Sequence, residues 1–132
     1  MTIIQSTAQI SQPVAKVYAF LSDMNNHQQL MPENIYNWSS TKDQASFTIQ
    51  NMAKLTVAIV SRVENQELVA LPVEKPPFDV QLKWSVKENA SGGTEATLII
   101  SADLNMMMKM LASGPLQKLA DHQAKRLSEV LG

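Results

Sequence analysis

No cysteine occurs among the 132 residues. Disulfides, thiolate nucleophiles and cysteine-bound zinc are therefore excluded. An excess of one charge is also missing: 11 Lys and Arg against 12 Asp and Glu leave a net charge of −1, and the basic residues are scattered. A nucleic-acid footprint normally needs a basic stripe, so no nucleic acid is expected as a partner. No stretch approaches the roughly 18 consecutive apolar residues of a membrane span. The opening MTIIQSTAQI has no basic flank ahead of a long apolar run and does not read as a signal peptide. The expected location is cytoplasmic. No metal-ligand spacing and no G-x-S-x-G elbow is found, so neither cofactor, metal nor catalytic residue is assigned.

What is present suits one domain spanning residues 1–132. The composition is 45% apolar and 17% charged, and a chain of this length buries roughly two-thirds of its unfolded surface. The hydrophobic period changes three times along it. In TIIQSTAQI, Ile4, Ser6, Ala8 and Ile10 share one face of a strand. SQPVAKVYAFLSD then switches to helical spacing: Ser11 is placed to cap, Pro13 sits in the first turn, and Val14, Val17, Tyr18 and Leu21 recur on one side. A second short helix is expected from about Asn25 to Leu30, ending before Pro32.

From Ile35 to Leu104 the period is mostly two. Tyr36 pairs with Trp38 on one face, and Ala45, Phe47 and Ile49 form the next set. Leu55, Val57, Ile59 and Val63 follow, opposite Lys54, Thr56 and Arg62. Phe78, Val80, Leu82, Trp84 and Val86 alternate with polar residues, as do Ala96, Leu98, Ile100, Ala102 and Leu104. This is the signature of an antiparallel sheet with one wet and one buried face. Pro72 interrupts a run and predicts an edge or a bulge. In GPLQKLADHQAKRLSEVL, Leu116, Leu119, Ala120, Leu127 and Val130 form an apolar helical stripe. Pro115 has no amide for the carbonyl four residues earlier, which predicts a kink or a helix start there, with the Met-rich stretch NMMMKML as an offset preceding turn.

The expected fold class is thus α+β: a curved antiparallel sheet of about seven strands wrapped around a long C-terminal helix, with two short helices after the first strand. The order QPVAKVYAFLSD, strand meander, then terminal GPLQKLADHQAKRLSEVL resembles the helix-grip fold of the START and birch-pollen-allergen (SRPBCC) superfamily over essentially the whole chain. One departure is that SSTKDQASF holds no glycine where plant members carry a glycine-rich loop.

The resemblance implies an apolar cavity between sheet and helix that binds a small hydrophobic molecule of lipid, quinone or polyketide-like character. Trp38, Phe47, Phe78, Leu82, Trp84, Leu98 and Ile100 would line its sheet side. Met107, Met110, Leu111 and Leu116 would line its helix side, with Met31 and Met52 near the mouth. Methionine suits such a border because it is unbranched and adapts to irregular shapes. Successive helical residues differ by about 100° in direction, so at least one of Met106 to Met108 is expected outside.

Gln123 interrupts the apolar stripe between Leu119 and Leu127 and needs a partner, for which Ser6, Ser61, a water or a ligand are candidates. His27 and His122 read as solvated surface residues. Three functions follow in order: a non-enzymatic binder of a lipophilic ligand; a cyclase or dehydratase-like enzyme using Tyr36, His27 or Gln123; and an interaction module presenting Met106 and Met108, with homodimerisation left open.

Overall fold

The computed structural model describes residues 2–50, 53–74 and 79–132, with the side chain of Ala53 left aside. Strand β1 (Thr2–Ile10) leads into α1 (Val14–Leu21) and α2 (Met24–His27), which continues into a 3-10 turn, Gln28–Leu30. Six strands follow: β2 (Ile35–Ser40), β3 (Gln44–Ile49), β4 (Ala53–Val63), β5 (Glu67–Pro72), β6 (Val80–Glu88) and β7 (Thr94–Ala102). Helix α3, Met106–Leu131, ends the chain.

All strand pairs are antiparallel, and the sheet order is β1-β7-β6-β5-β4-β3-β2. The sheet is a curled half-barrel, and α3 lies in its grip, packed chiefly against β1 and β7. The fold is thus the α+β helix-grip arrangement the alternation predicts. The strand residues whose side chains face α3 form the core. In β7, Ala96, Leu98, Ile100 and Ala102 are all buried, and in β1 Ile4, Ala8 and Ile10 are.

Several local expectations need correction. Ser11 does not cap α1; Pro13 is its N-cap residue, without a side-chain hydrogen bond. The Met-rich stretch is not an offset turn. It is the start of α3 itself, because the Asn105 side chain accepts from the Met108 amide at 2.8 Å and nucleates the helix there. Pro115 therefore lies inside a continuous helix, held in place by the burial of Ala112, Leu116, Leu119 and Ala120 around it. Pro72 is not in an edge strand. It ends β5 beyond Ala70↔Leu82, the last β5–β6 pair, where no amide is needed.

Two bulges break the strict alternation. One falls between Tyr36 and Ser39 in β2, where Asn37 has φ 56°. The other lies between Ile59 and Ser61 in β4. Tyr36 and Trp38 consequently do not share a face: Tyr36 is exposed, whereas Trp38 packs against the core. Ser61 and Val63, expected inside, are exposed for the same reason.

Candidate functional site: an apolar cavity under the C-terminal helix

The concave face of the sheet and the underside of α3 do not quite meet. Between them lies an apolar cavity of about 50 Å3. At roughly 10–15 Å3 for each water, that is room for a few water molecules. It is well below the roughly 300–1,000 Å3 of established small-molecule sites. The cavity as it stands is closed down on itself.

Most of the residues expected on its wall are there. Trp38 and Phe47 line it from β2 and β3, Leu82 and Trp84 from β6, Leu98 and Ile100 from β7, and Leu116 and Gln123 from α3. Met31 lines it from the segment after the 3-10 turn. Trp38 is fixed twice: its ring stacks on Phe47 with centroids 5.4 Å apart, and its Nε1–H donates to Ser40 Oγ at 2.9 Å. Ser40 Oγ in turn donates to Asn25 Oδ1 at 2.7 Å, which ties β2 to α2.

Three expected wall residues stand elsewhere. Met107, Met110 and Leu111 are exposed at 72, 81 and 68%, so the first turns of α3 present these side chains to solvent. Met106 is exposed with them, and Met108 alone of the four packs against the core. Met52 and Phe78 lie outside the described residues.

Further wall residues were not singled out from the sequence. Ile49, Leu55, Val57 and Val80 belong to the strand alternation and Leu119 to the helical stripe described above, whereas Ile35, Leu68 and Ala70 had no place in either. Met24 and His27 are different. They project from α2, and together with Leu30 they are buried at three-residue spacing. That spacing in MNNHQQL is the signal that would have found them.

His27 corrects the expectation of a solvated histidine. It is 4% exposed, and its Nε2–H donates to the Leu21 carbonyl at 2.8 Å. A carbonyl can only accept, so Nε2 carries the proton and Nδ1 is left as an acceptor. Burial pushes the His27 pKa below its ordinary value, opposed by the Leu21 hydrogen bond and the nearby Asp23 carboxylate. The ring is therefore neutral near pH 7. His122 is half-buried and is not on the cavity wall.

Gln123 is 5% exposed. Among the described residues, its carboxamide makes no hydrogen bond to Ser6 or Ser61, and it is not a sealed unpartnered group either, since Ser22 Oγ is the one such atom there. It faces the cavity. Tyr36 does not reach the cavity, so the expected trio of Tyr36, His27 and Gln123 is reduced to a pair. Among the described residues no Lys, Arg, Asp or Glu is on the wall, and no cluster of three metal-ligating side chains occurs.

A second space adjoins the first. It is an outer cleft of about 270 Å3 bordered by Asn34, Gln50, Leu111 and Pro115. Ile49, Leu116 and Leu119 line both spaces and form the partition between them. Leu111 thus borders the outer cleft rather than the inner cavity. A wider but open concavity lies between α1 and the β3–β4 side of the sheet, where Arg62 donates to Ser22 O at 2.8 Å and pairs with Asp43 at 2.7 Å. It offers no enclosure.

No protein-family model matches the chain. No curated protein matches it either. Solved structures do match in fold. The KanY protein is 12% identical, and the match covers 98% of this chain and 97% of that one at a TM-score of 0.80. A protein from Thermus thermophilus is 12% identical over 98% of this chain and 97% of its own, at 0.78. A subunit of the Aha1 dimer from Colwellia psychrerythraea is 11% identical over 99% and 96%, at 0.68. These likenesses establish the fold. Among the described residues no helix is long and apolar enough to cross a membrane.

Proposed function

We propose that this chain is an SRPBCC-type domain that binds a small lipophilic molecule between its sheet and α3. The observation that carries the reading is the partition: among the described residues, only Ile49, Leu116 and Leu119 separate an enclosed apolar cavity from a cleft open to solvent. With those three side chains turned aside, the joined space reaches the roughly 300 Å3 at which small-ligand sites begin.

The helix is weakest at this point. Gly114 and Pro115 precede Leu116, and relative to alanine they cost a helix about 1 and about 3 kcal/mol. A Cβ on Gly114 would meet nothing within 4 Å, so no packing requires the glycine. The lost hydrogen bond at Pro115 leaves the Leu111 carbonyl free on the cleft side. The arrangement suits a segment that swings to admit a guest and then settles back. A lipid, quinone or polyketide-like molecule fits the apolar wall; a cyclase or dehydratase would have only His27 and Gln123 to work with.

Native mass spectrometry after gentle purification, followed by solvent extraction, tests the proposal. The expected result is an apolar compound that leaves on denaturation. An apo mass throughout, with no rise in melting temperature on addition of neutral apolar compounds, would overturn it.

A second reading is favoured by one observation. Met106, Met107, Met110 and Leu111 give the start of α3 an exposed apolar face, and such faces mark association sites when they exceed a few hundred Å2. Self-association of the chain through this face is the form it would take. Light scattering on the wild type and on the triple variant M106Q/M107Q/M110Q decides it: a dimer that the variant abolishes supports it, and a wild-type monomer at high concentration removes it.

A further inference from the structure

Among the described residues the cavity wall is apolar with two exceptions besides the indoles, and both exceptions are at one end. Arg126 Nε donates to the Gln29 carbonyl at 3.2 Å, which fixes the 3-10 turn against α3. His27 is two residues before Gln29, and Gln123 is one helical turn before Arg126. The two polar wall residues therefore sit where α2 and its 3-10 extension meet α3. The partition at Leu116 is seven residues earlier along the helix.

The chemistry each can offer is defined. His27 Nε2 is occupied by Leu21, so its free nitrogen is an acceptor that needs a donor. Gln123 offers both an N–H and a carbonyl. Both side chains face the cavity, where a guest can meet them; among the described residues the one sealed side-chain atom without a partner is Ser22 Oγ. Among the described residues no cationic side chain is on the wall to receive a carboxylate or phosphate, and an unpaired buried charge is strongly disfavoured.

Resting on the ligand-binding reading above, we propose that the ligand is an uncharged, slender apolar molecule with a terminal hydroxyl, bound with the hydroxyl between His27 and Gln123 and the apolar tail toward Leu116. The O–H donates to His27 Nδ1, and the oxygen accepts from the Gln123 amide. Leu116 to Gln123 spans about 10 Å at a rise of about 1.5 Å per residue. That is about the length of an eight-carbon chain. Fatty acids and phosphorylated lipids are rejected at the polar end.

Trp38 and Trp84 both border the cavity, so their fluorescence reports occupancy. Titrations compare 1-octanol, its isomer heptyl methyl ether, which lacks the donor, and octanoate at pH 8. The alcohol is expected to bind roughly tenfold more tightly than the ether, the effect of leaving one buried acceptor unpaired. Octanoate is expected to bind most weakly. His27→Phe should bring the alcohol-to-ether ratio toward one, whereas Gln123→Leu should weaken alcohol and ether alike, because both oxygens accept from its amide.

Gln123→Leu removes an amide from an apolar stripe and folds, which keeps the test sound if His27→Phe does not. Equal binding of alcohol and ether, tighter binding of octanoate, or undiminished binding of both neutral probes in Gln123→Leu would overturn the proposal and leave the ligand-binding reading standing. Failure of both neutral probes to bind the wild type would overturn the two together.

Discussion

Trp38 stacks on Phe47, the planes inclined by 14°, although simple alternation in β2 places Trp38 on the same face as the solvent-exposed Tyr36. The bulge at Asn37 makes the stack possible. Its left-handed backbone (φ 56°) inserts an extra residue and turns the indole inward.

Asparagine tolerates that conformation, whereas a β-branched residue does not. Asn37→Gly is expected to leave stability within about 0.5 kcal/mol. Asn37→Val should cost about 1–2 kcal/mol, the penalty of a left-handed backbone, and should weaken the near-UV circular dichroism of the stacked indole. Urea titrations with both optical signals check the pair of outcomes.

The same bulge shows what the sequence could and could not reveal. Period-two and helical runs carried the element order, the sheet's buried face and α3, because side-chain direction follows backbone period directly. The cavity itself came from the helix-grip resemblance, which implied Trp38, Phe47, Leu82, Trp84, Leu98, Ile100 and Leu116 as lining, and all seven border it. The periodic runs could not reveal where the period slips, since Asn37 and the irregularity after Ile59 leave no apolar signature. Nor could they place Met107 and Met110. A Met-rich stretch has the same composition whether its side chains pack inward or face solvent, and the Asn105 cap, which starts α3 at Met106, is not an apolar signal.

Gly114 and Pro115 should govern entry rather than affinity. Gly114→Ala introduces a Cβ into open space and is expected to stabilise α3 by about 1 kcal/mol. Pro115→Ala restores a donor to the Leu111 carbonyl. If the partition opens by bending there, both variants bind the octanol probe with slower association while the melting temperature rises. Stopped-flow tryptophan fluorescence measures this; unchanged association rates in the stiffer helices would place the entrance elsewhere.

Removing a partition residue should act in the opposite sense. Leu116 is 4% exposed, and Leu116→Ala joins the inner cavity to the cleft. Truncating a buried leucine costs about 2–5 kcal/mol. Probe association is expected to accelerate even as the denaturation midpoint falls. A variant that loses stability without any gain in association rate would show that Leu116 is core alone.

Gly93 marks a position where no side chain fits. A Cβ there would run into the Ile10 carbonyl, with Ser11 also close. All of these atoms belong to backbone at the end of the β1–β7 pairing, where Thr94 lies opposite Ile10. The Gly93 amide is held by Asn89 Oδ1 at 2.9 Å, so the turn cannot drift away. Gly93→Ala should cost about 2 kcal/mol or more, read from the denaturation midpoint. A smaller loss would mean that β1 shifts at its end to make room.

His27 should make stability depend on pH in a window where carboxylates do not. In the unfolded chain it titrates near 6.5, whereas burial lowers its pKa in the fold. Below pH 6.5 the unfolded chain binds a proton that the folded chain refuses, so stability falls as the medium becomes more acidic. The slope approaches about 1.4 kcal/mol per pH unit until the folded imidazole also takes a proton. Above that unfolded-state value neither state is charged at this site, and its contribution is flat. Between about pH 7.5 and about pH 5.5 the wild type should lose about 1 kcal/mol, measured by urea unfolding. His27→Phe should lose almost nothing over the same interval, because the imidazole that the fold keeps neutral is gone. Equal losses in both proteins would mean that the proton is accommodated inside the fold, with the imidazole giving up the Leu21 carbonyl to receive it.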